Sequence, residues 1–68
     1  MNNIDIRKYI VENFKDDSIN DIRSSIDKSI TSHEDEPLIG LGVFFELLWN
    51  VSDEETKLLI LNSIKRGL

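Results

Sequence analysis

The chain has 68 residues, is 40% hydrophobic and 31% charged, and carries a formal net charge of −5 at pH 7. This length predicts a single domain, residues 1–68, near the lower limit for a self-sufficient core, and the lack of cysteine excludes disulfides and thiolate metal sites. The acidic balance and the scattered Lys and Arg residues argue against a nucleic-acid-binding face, which needs clustered cations. We expect neither a secretory signal nor a membrane span, since the longest apolar stretch is about ten residues against the roughly 20 that a span needs.

The first predicted helix covers about residues 4–14. Asn2 or Asn3 can cap it, and Asp5 then falls in its first turn, where the helix dipole favours an acid. Apolar side chains recur every fourth residue along one face and are Ile6, Ile10 and Phe14. This spacing predicts an amphipathic helix that packs on one side.

The second predicted helix covers about residues 18–32. Asp17 or Ser18 can cap it, and Asp21 lies three residues after Ser18 in an arrangement that resembles a capping box. Four isoleucines fall within an arc of about 80° on this helix. They are Ile19, Ile22, Ile26 and Ile30. So narrow an apolar stripe predicts contact with one neighbour and a polar outer side.

An acidic loop, residues 32–37, follows the second helix. Pro37 favours an extended backbone at Glu36 and a helix that starts later. His33 is the only histidine in the chain. Catalysis or metal binding would need orienting groups or further ligands beside it, so we interpret His33 as a solvated loop residue.

The third predicted helix covers about residues 40–50 and is apolar nearly all round. Its large side chains spread over roughly 240° of the circumference, and Glu46 and Asn50 mark the polar side. Gly40 and Gly42 are expected to permit a tight turn or a close helix approach. A helix of this kind must be covered, either by the rest of its own chain or by a partner.

The fourth predicted helix covers about residues 53–66. Ser52 is the expected cap, and Glu55 can reach back to the Ser52 N–H to form a capping box. Four apolar residues fit one face and are Leu58, Ile60, Leu61 and Ile64. Leu59 falls on the other side and is a candidate for exposure.

We therefore predict an all-α fold, a small bundle of four short helices packed around the apolar third helix. The side chains expected to be buried are Ile10, Phe14, Ile22, Ile26, Phe44, Leu48, Leu61 and Ile64. If the third helix closes the core with one side, a candidate interface remains at Phe45, Trp49 and Leu59, since Trp and Phe are common interface anchors. The partner is then a second copy of the chain or an unidentified protein.

No pattern in the chain predicts a catalytic, cofactor-binding or metal-binding residue. Gly40 and Gly42 lack the third glycine and the preceding strand of a dinucleotide fingerprint. The acidic stretches lack the glycine-containing pattern of a calcium loop, and no serine has the flanking glycines of a nucleophile elbow. We expect no enzyme and no cofactor. A helix-turn-helix is disfavoured because the link before the third helix is long and acidic, and that helix is too apolar to face a groove.

Residues 37–49 resemble the central signature of the small acid-soluble spore protein I (SspI) family of endospore-forming bacteria. The residues that carry the resemblance are Pro37, Gly40, Leu41, Gly42, Val43, Phe44, Glu46, Leu48 and Trp49. Ile39 is a departure, because it separates the proline and its following leucine from the glycine. The resemblance implies a minor, non-enzymatic sporulation protein, made in the forespore and deposited in the spore core. The alternative function is a general protein–protein interaction module or homodimerising domain.

Overall fold

The computed structural model describes residues 5–68 and contains helices without strands across that range. The four helices are α1 (Ile6–Phe14), α2 (Ile19–Thr31), α3 (Glu36–Val51) and α4 (Glu54–Gly67). The predicted all-α class with four short helices is confirmed. None of the helices between residues 5 and 68 combines the length and the apolar character that a membrane span requires.

The first two helices each begin at a capping side chain. Ser18 accepts a hydrogen bond from the Asp21 N–H at 3.1 Å, which confirms it as the cap of α2. Asp5 accepts one from the Lys8 N–H at 3.1 Å and is therefore the cap of α1, rather than a residue of its first turn. The alternative caps and helix start at residues 2–4 lie outside the described residues.

The predicted cap of α4 is wrong by one residue. Asp53 is in extended geometry, and its carboxylate accepts a hydrogen bond from the Thr56 N–H at 2.8 Å. The Ser52 hydroxyl instead donates to the Leu48 carbonyl at 2.6 Å. Ser52 thus satisfies a free carbonyl at the end of α3, while its neighbour, an equally good capping residue, opens α4.

Helix α3 begins four residues earlier than predicted, at Glu36. Pro37 stands in its first turn, where its missing N–H would have had no helical partner and its fixed φ suits the helix. The Leu38 N–H closes the first turn on the Asp35 carbonyl at 3.0 Å. The extended backbone expected at Glu36 is therefore wrong.

Neither glycine of α3 has a positive φ, so neither supplies the predicted tight turn. A Cβ added at Gly42 would meet no atom within 4 Å. Alanine at Gly42 should therefore raise the free energy of unfolding by about 1 kcal/mol, because alanine costs less conformational entropy in a helix. Chemical denaturation measures the gain, with Gly67→Ala as a helix-end control that gains less. A destabilised Gly42→Ala variant would contradict the open space beside Gly42.

His33 follows the Ser32 cap at the end of α2 and has a φ of 56°, in the left-handed region that favours glycine. Its backbone, rather than its imidazole, makes the turn towards α3. We expect His33→Gly to stabilise the fold by up to about 1 kcal/mol, because glycine adopts a positive φ without strain. The gain is limited, since glycine also gives the unfolded chain more conformational entropy. His33→Ala, which retains a Cβ, is the control and should show no gain in thermal melting.

The packing of the described helices is centred on α3, which lies against both α1 and α2. Phe14 of α1 meets Phe44 of α3 edge to face, with ring centroids 5.0 Å apart. Val43 has 7% of its surface exposed and is the one side chain in residues 5–68 that is buried rather than half-buried or exposed. Two neighbours cover α3 in part, and the core is correspondingly small.

The predicted core is only partly right. Five of the expected residues are half-buried, namely Ile10, Phe14, Ile22, Ile26 and Phe44. Leu48, Leu61 and Ile64 are 43%, 48% and 44% exposed, so their predicted burial is wrong. The reason is that α4 does not pack along α3 as α1 and α2 do. Its apolar stripe, and the side of α3 that holds Leu48, stay in contact with solvent.

Candidate functional site

Helices α1, α2 and α3 leave an open groove between them, with a volume of about 610 Å³. Its walls include Ile10 and Phe14 of α1, Ile22 and Ile26 of α2, and Phe44 and Leu48 of α3. Lys15 is the one charged side chain in the lining. We call this feature the apolar groove. An open concave surface of this composition favours burial of another apolar surface.

Two residues of the predicted interface lie together on α3. Phe45 also lines the apolar groove, and its ring stacks on that of Trp49 with centroids 5.7 Å apart and planes inclined by 26°. The Lys57 ammonium of α4 lies 5.0 Å from the centroid of a Trp49 ring, within the range of a cation–π contact. Trp49 is therefore half-covered by its own chain, whereas Phe45 is exposed.

The third residue of the predicted interface lies on a different helix. Leu59 is exposed on α4, at about 160° around the helix from Leu61 at 100° per residue. The structure thus joins Phe45 and Trp49 in one stacked pair and places Leu59 apart from the α4 stripe. Their role as an interface stays a prediction.

An ion pair joins α1 to α3 beside these rings. The Arg7 guanidinium donates two hydrogen bonds to the Glu46 carboxylate, at 2.7 and 2.9 Å. The hydrogen bond from Arg7 lowers the pKa of Glu46, and the same contact raises the pKa of Arg7. Both side chains are largely exposed, so salt and water weaken the pair. It orients α1 on α3 more than it stabilises the fold.

Asp53 has a lowered pKa as well, and the hydrogen bond from the Thr56 N–H is the main cause. A carboxyl whose pKa falls on folding stabilises the folded state above its unfolded pKa, about 4. That contribution is lost as the pH falls through the lowered folded value. Asp53 and Glu46 therefore both favour folding at neutral pH and lose this effect in acid, below about pH 4.

The nine signature residues all lie on α3, but on different sides of it. Pro37 is in the first turn, Val43 is buried, and Glu46 holds Arg7. Leu41, Phe44 and Leu48 line the apolar groove, and Trp49 stacks on Phe45. Gly40 faces α1, where an added Cβ would lie 3.7 Å from the Ile10 side chain, and Gly42 is open. The signature is thus a packing and surface pattern.

In the range that the structure describes, no group of His, Asp and Glu side chains is arranged to hold a metal ion. The same residues include no buried polar side chain. What the arrangement offers chemically is apolar contact area, with Lys15 as the one charged side chain beside it.

Comparison with known proteins gives a consistent result along the chain. Residues 4–68 match the family described as small, acid-soluble spore protein I. A protein of that name from Bacillus mycoides (strain KBAB4) is 33% identical over 63 residues, which cover 93% of this chain and 91% of the relative. The corresponding protein of Halalkalibacterium halodurans is 32% identical over 66 residues, 97% of each chain.

A third relative, from Bacillus licheniformis, also bears the name small, acid-soluble spore protein I and is 31% identical over 65 residues, 96% of this chain and 93% of its own. No solved structure matches the chain significantly. The family match extends over the whole described helical fold, including the α3 signature, and each of these relatives covers more than nine-tenths of the chain. The chain therefore belongs to the small, acid-soluble spore protein I family.

Proposed function

We propose that this chain is a non-enzymatic protein made during sporulation and held in the spore core. The observation that carries the proposal is the family match over residues 4–68, together with relatives that are named as spore proteins and covered over more than nine-tenths of their length. The match includes all of α3, where the structure concentrates its contacts with other helices.

The geometry supports a non-catalytic role because the ordered polar groups already have structural tasks. Asp5, Ser18 and Asp53 each cap a helix, and Glu46 is held by Arg7. A catalytic site instead brings polar groups together in a concave feature. The concave feature of this chain is the apolar groove, whose wall carries a single charged residue.

Several cations of the chain are also engaged locally, which supports a role without nucleic acid. Arg7 holds Glu46, Arg23 lies 3.9 Å from Asp27, and Lys57 lies over Trp49. With a net charge of −5, the chain repels a phosphate backbone at long range. Gel-shift experiments with duplex DNA at about 50 mM salt should show no retarded complex. A complex that weakens as salt is added would instead revive a nucleic-acid role.

Immunodetection during sporulation tests the proposal directly. The protein should be absent from growing cells, appear after sporulation begins, and be released by acid from ruptured spores but not from intact ones. Extraction of a coat protein from intact spores is the control for location. Equal amounts in growing and sporulating cells would contradict the proposal. Release from intact spores would contradict a location in the spore core.

The charge of the chain predicts how its solubility depends on pH. Protonation of the 13 carboxylates in acid leaves eight Lys and Arg residues and one His, a net charge of about +9, against −5 at pH 7. We expect a solubility minimum near the isoelectric point of 4.6 and high solubility again at about pH 2, because repulsion between like-charged chains returns. Turbidity and the concentration after centrifugation, measured from pH 7 to pH 2, check this. Continuous precipitation below pH 4.6 would contradict it.

A specific observation favours the interaction-module alternative as a second candidate. The apolar groove is open, and the apolar stripe of α4 is exposed on the same chain. Such a surface is compatible with a spore protein.

A further inference from the structure

The folded chain exposes more surface than a compact protein of its mass. Its accessible surface is 6007 Å², whereas a compact monomer of 7.9 kDa exposes about 4,400 Å². The excess is on the order of 1,000–1,600 Å², the lower figure allowing for the four residues outside the described range. The radius of gyration agrees, at 13.4 Å against about 11 Å for a compact chain of this length. The excess falls in the lower part of the range that one subunit buries in an obligate homodimer, about 1,000–2,500 Å².

Part of the exposed apolar area lies in two complementary features. One is the apolar groove, which is walled by α1, α2 and α3 and has no α4 residue in its lining. The other is the exposed end of the α4 stripe, Leu61 and Ile64, which Leu68 continues directly after the helix, and all three side chains are exposed. These positions are spaced i, i+3 and i+7, the pattern by which an amphipathic helix places anchors in a groove.

The dimensions of the two features agree. The α3 residues that line the groove run from Leu41 to Leu48, and the stripe runs from Leu61 to Leu68, so each feature is about 10 Å long at 1.5 Å per residue. A second copy of the chain brings both features at once. In a dimer with two-fold symmetry, each stripe therefore covers the groove of the other copy, and no groove or stripe is left exposed.

We propose that two copies of this chain form a reciprocal dimer in which the α4 stripe of each copy lies in the apolar groove of the other. The interface gains its free energy from burying Leu61 and Ile64 against groove residues such as Leu48 and Phe44. It also supplies the cover that α3 lacks within one chain. This inference does not depend on when or where the protein is made.

Sedimentation equilibrium on the full chain tests the association itself. We expect a mass of twice 7.9 kDa that falls towards 7.9 kDa on dilution, with a melting temperature that rises with protein concentration. A mass of 7.9 kDa at all concentrations up to about 1 mM would overturn the proposal. That result would mean that α4 folds back on its own groove or that the groove is reserved for another protein.

A pair of charged variants tests which surfaces meet. Leu61→Asp places a charge on the α4 stripe, and Leu48→Lys places the opposite charge in the groove. Each alone should weaken dimerisation on the order of 100-fold or more, since a charge is buried without a partner. Their equimolar mixture should recover the dimer mass, because one interface is native and the other contains an Asp–Lys pair.

The matched control is Ile19→Asp, at a side chain on α2 that is 84% exposed and outside the groove lining, and its dimer should be unchanged. Should a single variant fail to fold alone, the mixture remains informative, because helicity measured by circular dichroism must return together with the dimer mass. A mixture that stays monomeric, or an Ile19→Asp variant that dissociates as readily as the other two, would overturn the pairing of α4 with the groove.

Discussion

Replacing Phe44 by alanine is expected to lower the free energy of unfolding by about 2–4 kcal/mol. Phe44 is half-buried, meets Phe14 edge to face at 5.0 Å and forms part of the groove wall where α1 and α2 converge on α3. Truncation removes the aromatic pair and leaves a cavity that three short helices cannot close. A chain of this size has only about 3–10 kcal/mol of stability, so the melting temperature should fall by about 10–30 °C.

Ile39→Ala is the matched control for Phe44→Ala. Ile39 lies on the same helix and is exposed, so its truncation should cost less than about 1 kcal/mol. Both variants should be compared by thermal melting at a protein concentration low enough for each to sediment as a monomer, because a weakened dimer would itself lower the melting temperature. If Phe44→Ala melts within a few degrees of the parent, Phe44 does not hold α1 and α2 on α3.

The features that could be predicted from the sequence are those decided within a few residues. Ser18 comes directly before an isoleucine stripe and has an acid three residues later, and the structure confirms it as a cap. The local errors occur where the sequence is compatible with two helix boundaries. Ser52 and Asp53 are both good caps, and the choice depends on which of them closes α3. Pro37 can end a helix or open one, and it stands in the first turn of α3.

Long-range partners could not be predicted, because no local pattern encodes them. The Arg7–Glu46 ion pair joins residues 39 positions apart, and nothing in the spacing distinguishes these two charges from other exposed ones. Sequence periodicity likewise identified an apolar stripe on α4, since side chains every three or four residues share a face. It could not say which surface covers that stripe, and the predicted burial of Leu61 and Ile64 within the same chain was the consequence.

The candidate interface was also predicted only in part. The concentration of aromatic and aliphatic residues in α3 indicated a helix that needs cover on most sides, and the structure places groove-lining and stacked residues there. Leu59 was singled out because it leaves the main stripe of α4, yet that stripe is itself exposed. Exposure of a lone leucine is therefore a weaker signal than an unpaired stripe beside an unfilled groove.

Trp49→Ala is the second variant with a large expected effect, a loss of about 1.5–3 kcal/mol, less than for a fully buried tryptophan. Trp49 is half-buried in the last turns of α3, with Phe45 stacked on it at 5.7 Å and Lys57 of α4 lying 5.0 Å from its ring centroid. It thus links α3 to the first turn of the next helix. Its removal should loosen α4 more than α2, because α2 packs on α3 through other residues.

Amide hydrogen exchange distinguishes this local effect from general destabilisation. In Trp49→Ala, the exchange rates of the α4 amides should increase by a larger factor than those of the α2 amides. Trp49→Phe keeps an aromatic face for Phe45 and Lys57, so its loss of stability should be less than half that of Trp49→Ala. Lys57→Met separates the charge from the ring, since a cation–π contact at an exposed site contributes about 0.5–1 kcal/mol. An equal increase of the exchange rates in α2 and α4 would show that Trp49 supports the core as a whole. Helix α4 would then be held to α3 by the hydrogen bonds of Ser52 and Asp53 at the junction of the two helices.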